Sequence, residues 1–282
     1  GLTALLGSPV AHSISPLMHN ESFRLLGLDY VYLCFDVNEE TLPAAVAGLK
    51  TCGIRGFNLT MPNKNKIVEL LDELSPEAQL IGAVNTVLND NGKLIGYNTD
   101  GYGFMQSVRD AGHDITGKNI TVMGVGGASM AICAQSALDG AASVHIFARR
   151  TSRYWNRTQK FAENLSAKTG CQVCLFDNDD HTALRDSIAQ SYLLINATSV
   201  GMVPDIDDTI IKDTSLFHPE LVVADVVYEP QETRLLREAK AAGCQTFNGM
   251  YMLLHQGAKA FQIWTGQEMP VSVIKEKYFS VK

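Results

Sequence analysis

The stretch ITVMGVGGASMAICAQSAL, residues 120–138, decides the fold of this chain. A short apolar run typical of a buried strand enters a glycine-rich turn, and a run of small and apolar residues typical of a helix follows. Glycines in such a turn let the backbone approach a pyrophosphate, and the helix N-terminus offers unpaired N–H groups. This order predicts a dinucleotide site formed by Gly124, Gly126, Gly127, Ala128 and Ser129. A purely structural turn is the alternative.

Strand and helix patterns alternate on both sides of this stretch. From residue 104 to 248, strand-like runs such as VHIFA and YLLIN alternate with helical segments of about 10–15 residues. This alternation predicts an α/β fold with a doubly wound parallel sheet, that is, a Rossmann-type dinucleotide-binding domain. The strand and helix patterns in residues 1–103 predict a separate α/β domain. Residues 249–282 are helical and have no strand partner, so we expect them to return to the first domain and complete it.

The composition excludes several classes of protein. Of the 282 residues, 46% are hydrophobic and 19% are charged, which is enough to bury the cores of two domains. The formal net charge of −7 argues against a nucleic acid or an anionic membrane as partner. No run approaches the roughly 18 apolar residues of a membrane span. We therefore expect a small-molecule partner rather than a polyanion.

The cysteines indicate neither a disulfide scaffold nor a metal site. There are six in 282 residues, and the one C-x-x-C, formed by Cys171 and Cys174, has no second ligand pair. We expect no bound metal. No segment resembles a secretory signal, so we expect a reducing, cytoplasmic setting.

A basic cluster follows the next predicted strand, where the adenosine ribose of a dinucleotide would lie. No Asp or Glu occurs between Asp139 and Glu163, whereas Arg149, Arg150 and Arg153 do. A carboxylate at this place favours NAD, and arginines favour the extra phosphate of NADP. The cluster therefore favours NADP, with NAD as the alternative. A solvated basic helix start is the other interpretation, although cations oppose the helix dipole there.

Lys64 is the candidate for proton transfer. It precedes NKIVELLDEL, which reads as a helix, and residues 64, 67, 71 and 74 share one face of that helix. An inward-facing lysine near a helix N-terminus is more easily deprotonated, which suits acid–base chemistry. A lysine whose ammonium extends to water is the alternative.

Several further polar residues precede or follow predicted strands. Asp100 opens a helix and reads either as a helix cap or as a site residue. Ser13 and Ser15 precede a helix, where Ser15 reads as a cap and the two hydroxyls also suit a carboxylate. The remaining candidates are Asn85 and Thr86 on the partner strand, Tyr228 at the end of the predicted strand VVADVVY, and Gln256 on the predicted C-terminal helix. The chain contains no nucleophile elbow, no Walker loop and no H-E-x-x-H, so no other catalytic set competes.

These pieces, in this order, resemble the shikimate dehydrogenase family, including its quinate/shikimate branch. The matching segments span nearly the whole chain and are SPVAHSISPLMHN, NLTMPNK, GAVNT, GYNTDG, GVGGAS, NATSVGM, DVVYEP and MLLHQGAKAFQIWTG. The resemblance implies reversible hydride transfer between NADP(H) and the 3-dehydroshikimate/shikimate pair, a step of aromatic amino acid (chorismate) biosynthesis.

The resemblance also implies that residues 1–103, completed by 249–282, are the substrate and catalytic domain, and it implies roles for individual residues. Lys64 is the acid–base residue and Asp100 its partner, which also holds a substrate hydroxyl. The other implied substrate contacts are Ser13, Ser15, Thr60, Asn85, Tyr228 and Gln256. The implied neighbours of the nicotinamide are Thr198, Val226, Gly249 and Met252.

Some positions depart from the family pattern or point to its other branch. Ala148 stands for a usual Asn, Thr151 stands where NAD-using members tend to carry Asp, and Tyr251 replaces a usual Gly. The segments MPNK and WTG resemble the quinate/shikimate branch. A quinate/shikimate dehydrogenase that uses NAD or both cofactors is therefore the alternative. A non-catalytic nucleotide-sensing protein is a remote one. The sequence leaves a monomer or a homodimer open.

Overall fold

The computed structural model describes residues 1–279, and the chain divides into two compact units. The first contains Gly1–Gly103 and the chain from Leu253 onward, and the second is Phe104–Met252. The chain leaves the second unit after residue 252, whereas the sequence suggested residue 248. The reason is that Gly249 packs in the second unit: its N–H bonds Val227 O at 3.4 Å, and a Cβ added to it would overlap Val226 O.

The first unit is built on a six-stranded mixed sheet. Its strand order is β2-β1-β3-β5-β6-β4, in which β5 runs antiparallel to β3 and β6. The strands are β1 Leu2–Gly7, β2 Val31–Asp36, β3 Gly56–Leu59, β4 Glu73–Leu74, β5 Thr86–Asp90 and β6 Lys93–Tyr97. The helices are α1 Ser15–Leu25, α2 Leu42–Thr51 and α3 Pro76–Ile81, and α4 Asp100–Asp110 leads into the second unit.

A tight turn joins β5 and β6. Asn91 and Gly92 have φ of 53° and 94°, the left-handed conformation that such a two-residue hairpin requires. This turn brings the beginning of β5 beside the end of β6, with Thr86 opposite Tyr97. The residues just outside the two strands, Asn85 and Asn98–Asp100, are thereby placed side by side.

The C-terminal helices pack in the first unit, as the sequence predicted. They are α9 Met250–Thr265 and α10 Val271–Ile274, and a π-helical turn, Lys275–Phe279, continues α10. Trp264 is 1% exposed, and its indole N–H donates to Val87 O at 2.9 Å. Gly56 makes room for this indole, since a Cβ there would overlap Trp264 Nε1. The hydrogen bond and the close packing of Trp264 thus hold α9 against the sheet.

The second unit contains a six-stranded parallel sheet of order β12-β11-β10-β7-β8-β9. The strands are β7 Asn119–Met123, β8 Ser143–Ala148, β9 Gln172–Asp177, β10 Leu193–Asn196, β11 Val222–Asp225 and β12 Gln245–Phe247. The helices are α5 Gly127–Leu138, α6 Trp155–Thr169, α7 His181–Gln190 and α8 Arg234–Ala241. The strand order reverses between β7 and β10, where doubly wound folds bind ligands. The predicted Rossmann-type fold is confirmed.

One predicted helix is wrong. Residues 65–74 do not form a continuous helix: Lys66–Leu70 is a short 3₁₀ helix, and Leu71 is extended, with φ −105° and ψ 145°. Glu73 and Leu74 then form β4 and pair with β6. The apolar spacing of this segment fits a helix, but backbone pairing with β6 determines its conformation.

None of the helices within residues 1–279 has the length and apolar character that crossing a membrane requires.

Candidate active site

Lys64 and Asp100 form an ion pair in the first unit. Lys64 Nζ lies 2.6 Å from Asp100 Oδ2, and the side chains are 29% and 10% exposed respectively. The pair is therefore shielded but still reachable from solvent. A charge-assisted hydrogen bond of this length is among the stronger ones in proteins, so Asp100 fixes the position of the ammonium.

The backbone around Lys64 is held from two sides. Lys64 O accepts from Val84 N at 2.8 Å, and the Asn63 side-chain amide donates to Val37 O at 2.7 Å. Lys64 itself lies in a turn, two residues before the 3₁₀ helix. The predicted inward face of a longer helix is therefore wrong, and the argument from a helix dipole does not apply to this lysine.

Asn85 orients the other oxygen of Asp100. The Asn85 amide donates to Asp100 Oδ1 at 2.8 Å, and its carbonyl oxygen accepts from Thr99 N at 2.8 Å. Asp100 is the first residue of α4, but its carboxylate binds Lys64 and Asn85. The interpretation of Asp100 as a cap alone is therefore wrong. The neighbouring ends of β5 and β6 bring these residues together.

Gln256 reaches the same cluster from α9. Its Oε1 lies 3.4 Å from Asn85 Nδ2, and its amide donates to Leu253 O at 2.9 Å. The return of the C-terminal helix to the first unit thus adds a residue 171 positions away from Asn85. Lys64, Asn85, Asp100 and Gln256 form one polar cluster, which we call the lysine cluster.

Ser13 and Ser15 stand at the beginning of α1, but not as predicted. Ile14 occupies the N-cap position and Ser15 is the first helical residue. Ser13 Oγ accepts the Ser15 backbone N–H at 3.2 Å, so Ser13, rather than Ser15, satisfies a backbone donor. The interpretation of Ser15 as the cap is wrong. Both hydroxyls lie at the amino end of an 11-residue helix, an arrangement that suits an anion.

A buried chain of hydrogen bonds leads from Ser15 toward the lysine cluster. The Tyr32 hydroxyl bonds the Ser15 side chain and donates to Asn58 Oδ1 at 2.9 Å. The Asn58 amide donates to Thr86 Oγ1 at 2.9 Å and to Asn85 O at 3.1 Å. Burial raises the pKa of the Tyr32 phenol well above its usual value, so the hydroxyl stays protonated.

Two residues of this hydrogen-bond chain, Tyr32 and Asn58, were not predicted from the sequence. The available signal was a polar atom inside an apolar strand, since a buried polar group requires a partner. Tyr32 lies within β2 and Asn58 within β3, and they are 1% and 5% exposed. Their partners come from other strands, which the sequence alone does not reveal.

Two other predicted substrate residues lie outside the lysine cluster. Thr60 follows β3 directly, and its methyl group occupies the space where a Cβ of Gly7 would lie. Tyr228 belongs to the second unit and is 45% exposed. It does not end a strand as predicted, because β11 stops at Asp225.

The glycine-rich turn of the second unit fits a dinucleotide. Gly124 has φ of +113°, which side chains rarely tolerate, and a Cβ there would lie 2.8 Å from Thr198 Cγ2. Gly126 and Gly127 are exposed at the beginning of α5, and no described atom lies within 4 Å of a Cβ built on either. These two glycines therefore leave space at the beginning of this 12-residue helix, where a pyrophosphate could approach its first N–H groups.

Ser129 shapes this turn from inside the protein. It is 0% exposed, and its hydroxyl donates to Gly124 O at 2.6 Å. Its side chain therefore maintains the loop, while Gly126, Gly127 and Ala128 leave the surface open.

The predicted basic cluster lies at the carboxyl end of β8. Arg149, Arg150 and Arg153 are all exposed. The Arg150 guanidinium lies 4.7 Å from the centre of the Trp155 ring, and the Arg153 guanidinium lies at the same distance from the Tyr154 ring. The two aromatic residues at the beginning of α6 thus support two of the three arginines.

A carboxylate does lie near this edge, on the neighbouring strand. Asp177 ends β9 and is the register partner of Ala148, and its Oδ1 accepts from Asp179 N at 3.2 Å. Asp177 lies 29 positions after Ala148 in the chain, so its place beside the basic cluster could not be predicted from the residues that follow β8. Strand pairing places it beside the basic cluster.

The residues that the resemblance placed near the nicotinamide occupy neighbouring loops of the second unit. Thr198 follows β10 and Val226 follows β11. The close approach of Gly249 to Val226 O requires a glycine there, and Met252 lies in the first turn of α9.

The C-x-x-C cysteines do not face solvent together. Cys171 is buried and Cys174 partly buried, and burial raises the pKa of the Cys171 thiol to about 11. The thiolate that metal binding needs is therefore disfavoured at neutral pH. Residues 1–279 contain no group of three His, Cys, Asp or Glu side chains that could hold a metal ion.

The second unit is doubly wound and has a dinucleotide turn, and the first unit has a lysine–aspartate pair among hydroxyl and amide groups. Together these features define a nucleotide-dependent oxidoreductase. A family model of the shikimate dehydrogenase substrate binding domain matches residues 5–87, and one of the shikimate 5'-dehydrogenase C-terminal domain matches residues 249–277.

Individual relatives agree over nearly the whole chain. The shikimate dehydrogenase (NADP(+)) of Listeria innocua serovar 6a is 51% identical over 278 residues, which are 99% of this chain and 95% of that protein. The structure of shikimate 5-dehydrogenase from Listeria monocytogenes in complex with shikimate and NAD is also 51% identical. It covers 98% of this chain and 95% of its own, with a TM-score of 0.95.

A quinate dehydrogenase from Corynebacterium glutamicum in complex with NAD is 31% identical, covers 99% of both chains and has a TM-score of 0.87. At these identities and coverages, the chain belongs to the shikimate dehydrogenase family. The resemblance noted in the sequence is confirmed.

Proposed function

We propose that this protein catalyses the reversible reduction of 3-dehydroshikimate to shikimate with NADP(H), a step toward chorismate and the aromatic amino acids. The Lys64–Asp100 pair, at 2.6 Å within a polar cluster, carries this proposal. Hydride transfer to a ketone requires a proton at the reacting oxygen, and a positioned lysine is suited to supply it. The 51% identity to a shikimate dehydrogenase (NADP(+)) supports the same conclusion.

The first unit binds the substrate. Ser13 and Ser15 bind the ring carboxylate at the beginning of α1, where the helix dipole favours an anion. Asn85, Asp100 and Gln256 bind ring hydroxyls, because amides and carboxylates provide both donors and acceptors at one place. Thr60 adds a hydroxyl at the end of β3. Tyr228 remains a predicted substrate contact from the second unit.

Lys64 donates and accepts the proton of the reaction. In the direction of reduction its ammonium donates a proton to the carbonyl oxygen, which becomes the product hydroxyl. In the direction of oxidation its amine accepts that proton. Asp100 keeps Nζ in place through both directions, and Asn85 holds Asp100 through its other oxygen. When bound, NADP(H) supplies or accepts the hydride.

The second unit binds the dinucleotide. Gly124, Gly126, Gly127 and Ala128 surround the pyrophosphate, and Ser129 maintains their turn. Arg149, Arg150 and Arg153 bind the ribose phosphate, which is why we propose NADP as the preferred cofactor over NAD. The residues next to the nicotinamide are Thr198, Val226, Gly249 and Met252.

A second candidate function is quinate/shikimate dehydrogenation with NAD or with both cofactors. Three observations favour it: the 31% identity to a quinate dehydrogenase, the NAD in the Listeria monocytogenes structure, and Asp177 beside Ala148. The remote alternative, a nucleotide sensor without catalysis, predicts dinucleotide binding but no turnover. We propose that the protein acts in the cytoplasm. We further propose that it is a monomer or a homodimer and that it binds no nucleic acid.

Initial rates with shikimate and quinate, each with NADP⁺ and NAD⁺, test these functions together. The proposed function predicts the highest kcat/KM with shikimate and NADP⁺. Higher values with quinate or NAD⁺ would favour the second candidate. Absence of turnover with all four pairs would refute both dehydrogenases.

A further inference from the structure

Two buried polar residues end the neighbouring strands β10 and β11 of the second unit. Asn196 and Asp225 are register partners in this parallel pair, and both are 0% exposed. The Asn196 amide donates to Asp225 Oδ1 at 2.9 Å. Each residue is the last one of its strand, so this hydrogen bond joins the strands where their loops begin.

Asp225 also holds the loop that follows β11. Its Oδ1 accepts from Val227 N at 2.9 Å, and its Oδ2 accepts from Thr233 Oγ1 at 2.7 Å. Thr233 is in turn the N-cap of α8. The carboxylate thus fixes both ends of the connection between β11 and α8, and Val226 lies within that connection.

Asn196 similarly holds the loop that follows β10. Its Oδ1 accepts from Thr198 Oγ1 at 2.7 Å and from Thr198 N at 3.1 Å, and its amide donates to Val200 O at 3.1 Å. The methyl group of Thr198 limits the space at Gly124, the first glycine of the dinucleotide turn. The loops after β7, β10 and β11 are therefore linked through one buried pair.

Stability alone gives a weak reason for a carboxylate at this place. Burial raises the pKa of Asp225 to about 6, which reflects the cost of keeping its charge away from water. An apolar side chain would avoid that cost, so a buried charged group of this kind is better explained by the geometry that it imposes.

We propose that Asp225, acting through Asn196 and Thr233, is a positioning residue that sets the spacing of the loops around the dinucleotide. The proposal rests on the proposed function, because it assumes that NADP binds to this unit. In this role the Asn196–Asp225 pair acts through the loops that it holds and does not contact the ligand itself. It holds Thr198 and Val226 where the resemblance places the nicotinamide.

Replacement by leucine and by asparagine distinguishes positioning from filling of space. Asp225→Leu keeps the branched shape of the side chain, with methyl groups larger than the oxygens they replace, but leaves the donors of Asn196, Val227 and Thr233 without their acceptor. Asp225→Asn keeps Oδ1 as the acceptor for Asn196 and Val227, and Thr233 Oγ1 can accept from the new amide. Thr121→Val is the matched control, because it removes another buried hydrogen bond of the same unit, 2.7 Å from Thr121 Oγ1 to Ser191 Oγ.

Two quantities are measured for each variant: the rates of amide hydrogen exchange without cofactor, and the Kd for NADP⁺ by calorimetry. We expect Asp225→Leu to raise the Kd about tenfold or more and to speed exchange at residues 197–200 and 226–229. Asp225→Asn should stay within about threefold of wild type, and Thr121→Val should leave the Kd and these loops unchanged.

An unchanged Kd or unchanged exchange in Asp225→Leu would overturn the proposal, as would an equal rise in Kd in Thr121→Val. Should Asp225→Leu fail to fold, Thr233→Val replaces it, with Thr233→Ser as the variant that keeps the hydroxyl. Wild type that binds no NADP⁺ would instead refute the proposed function. Normal binding in wild type together with an unaffected Asp225→Leu would refute the positioning role alone.

Discussion

Asp100 Oδ2 accepts a hydrogen bond from Lys64 Nζ at 2.6 Å, although 36 positions separate the two residues. The turn after β3 carries the lysine, and the beginning of α4 carries the aspartate. Asn85, between them in the chain, binds the second oxygen of the carboxylate. The lysine that we propose as the proton donor is thus held by a carboxylate that Asn85 holds in turn, an arrangement that suits acid–base catalysis.

Replacement of Lys64 by alanine should strongly lower the rate of shikimate oxidation and weaken shikimate binding only slightly. General acid–base groups contribute about 10²–10⁴-fold, so we expect kcat for shikimate oxidation to fall by that factor in Lys64→Ala. The Kd for shikimate, measured by calorimetry, should change less than about tenfold, because the carboxylate and hydroxyl contacts remain.

Lys66→Ala is the matched control for this prediction. Lys66 is two residues away, partly exposed and paired with Glu69 at 2.6 Å, outside the lysine cluster. Its kcat should stay near that of wild type. A normal kcat in Lys64→Ala would remove Lys64 from the mechanism.

Removal of an arginine at the end of β8 should weaken NADP selectively. A charge-assisted hydrogen bond contributes about 1.5–3 kcal/mol, so Arg149→Ala and Arg150→Ala should each raise the KM for NADP⁺ about tenfold or more. The KM for NAD⁺ should change little, because NAD lacks the ribose phosphate. Initial rates at varied cofactor concentration give both values.

Lys168→Ala controls for the loss of a positive charge as such. Lys168 lies in the last turn of α6, the helix whose first turn follows the arginines. It should leave both KM values unchanged. Equal increases in the KM for NADP⁺ and for NAD⁺ in the arginine variants would show that these side chains do not recognise the ribose phosphate.

Two glycines of the first unit should respond to alanine with opposite signs. Gly48 is exposed within α2, with no described atom within 4 Å of an added Cβ, so Gly48→Ala should raise the free energy of unfolding by about 0.5–1 kcal/mol. Gly56→Ala should lower the free energy of unfolding by about 1–3 kcal/mol, because the new Cβ would overlap Trp264 and disturb the packing of α9 against the sheet.

Urea unfolding measures both effects in a Trp155→Phe background. The chain has two tryptophans, Trp155 and Trp264, so the remaining fluorescence then reports on the first unit. A stable, unchanged Gly56→Ala variant would contradict the packing of Trp264 against β3.

The fold of the second unit could be predicted from the sequence because its strands and helices are locally periodic and follow each other in a regular order. The segment 65–74 could not, because its apolar spacing fits a helix while pairing of β4 with β6 makes it extended. Long-range pairing overrides local preference most readily in short segments.

The candidate site was predictable only in part. Lys64 and Asp100 could each be nominated from neighbouring motifs, but the hydrogen bond between them needed the β5–β6 hairpin in three dimensions. Asn58 was missed because it lies inside an apolar strand, and Asp177 because strand register brings it beside Ala148. A single sequence predicts where a strand ends better than it predicts which residues lie beside that end in the folded protein.

His19 should make the first unit sensitive to acid. It is 0% exposed and stacks on Tyr32 with ring centres 4.4 Å apart, and neither ring nitrogen has a hydrogen-bond partner among the described residues. Burial lowers its pKa from 6.5 to about 3. The unfolded chain therefore binds the proton more strongly than the folded one, and the free energy of unfolding falls as the pH drops from about 6.5 towards 3. Between pH 7 and pH 4 this loss amounts to roughly 3 kcal/mol. In the Trp155→Phe background, urea unfolding at the two pH values should show that loss with His19 present and a clearly smaller one in His19→Leu. An equal loss in both proteins would mean that other groups cause the acid sensitivity.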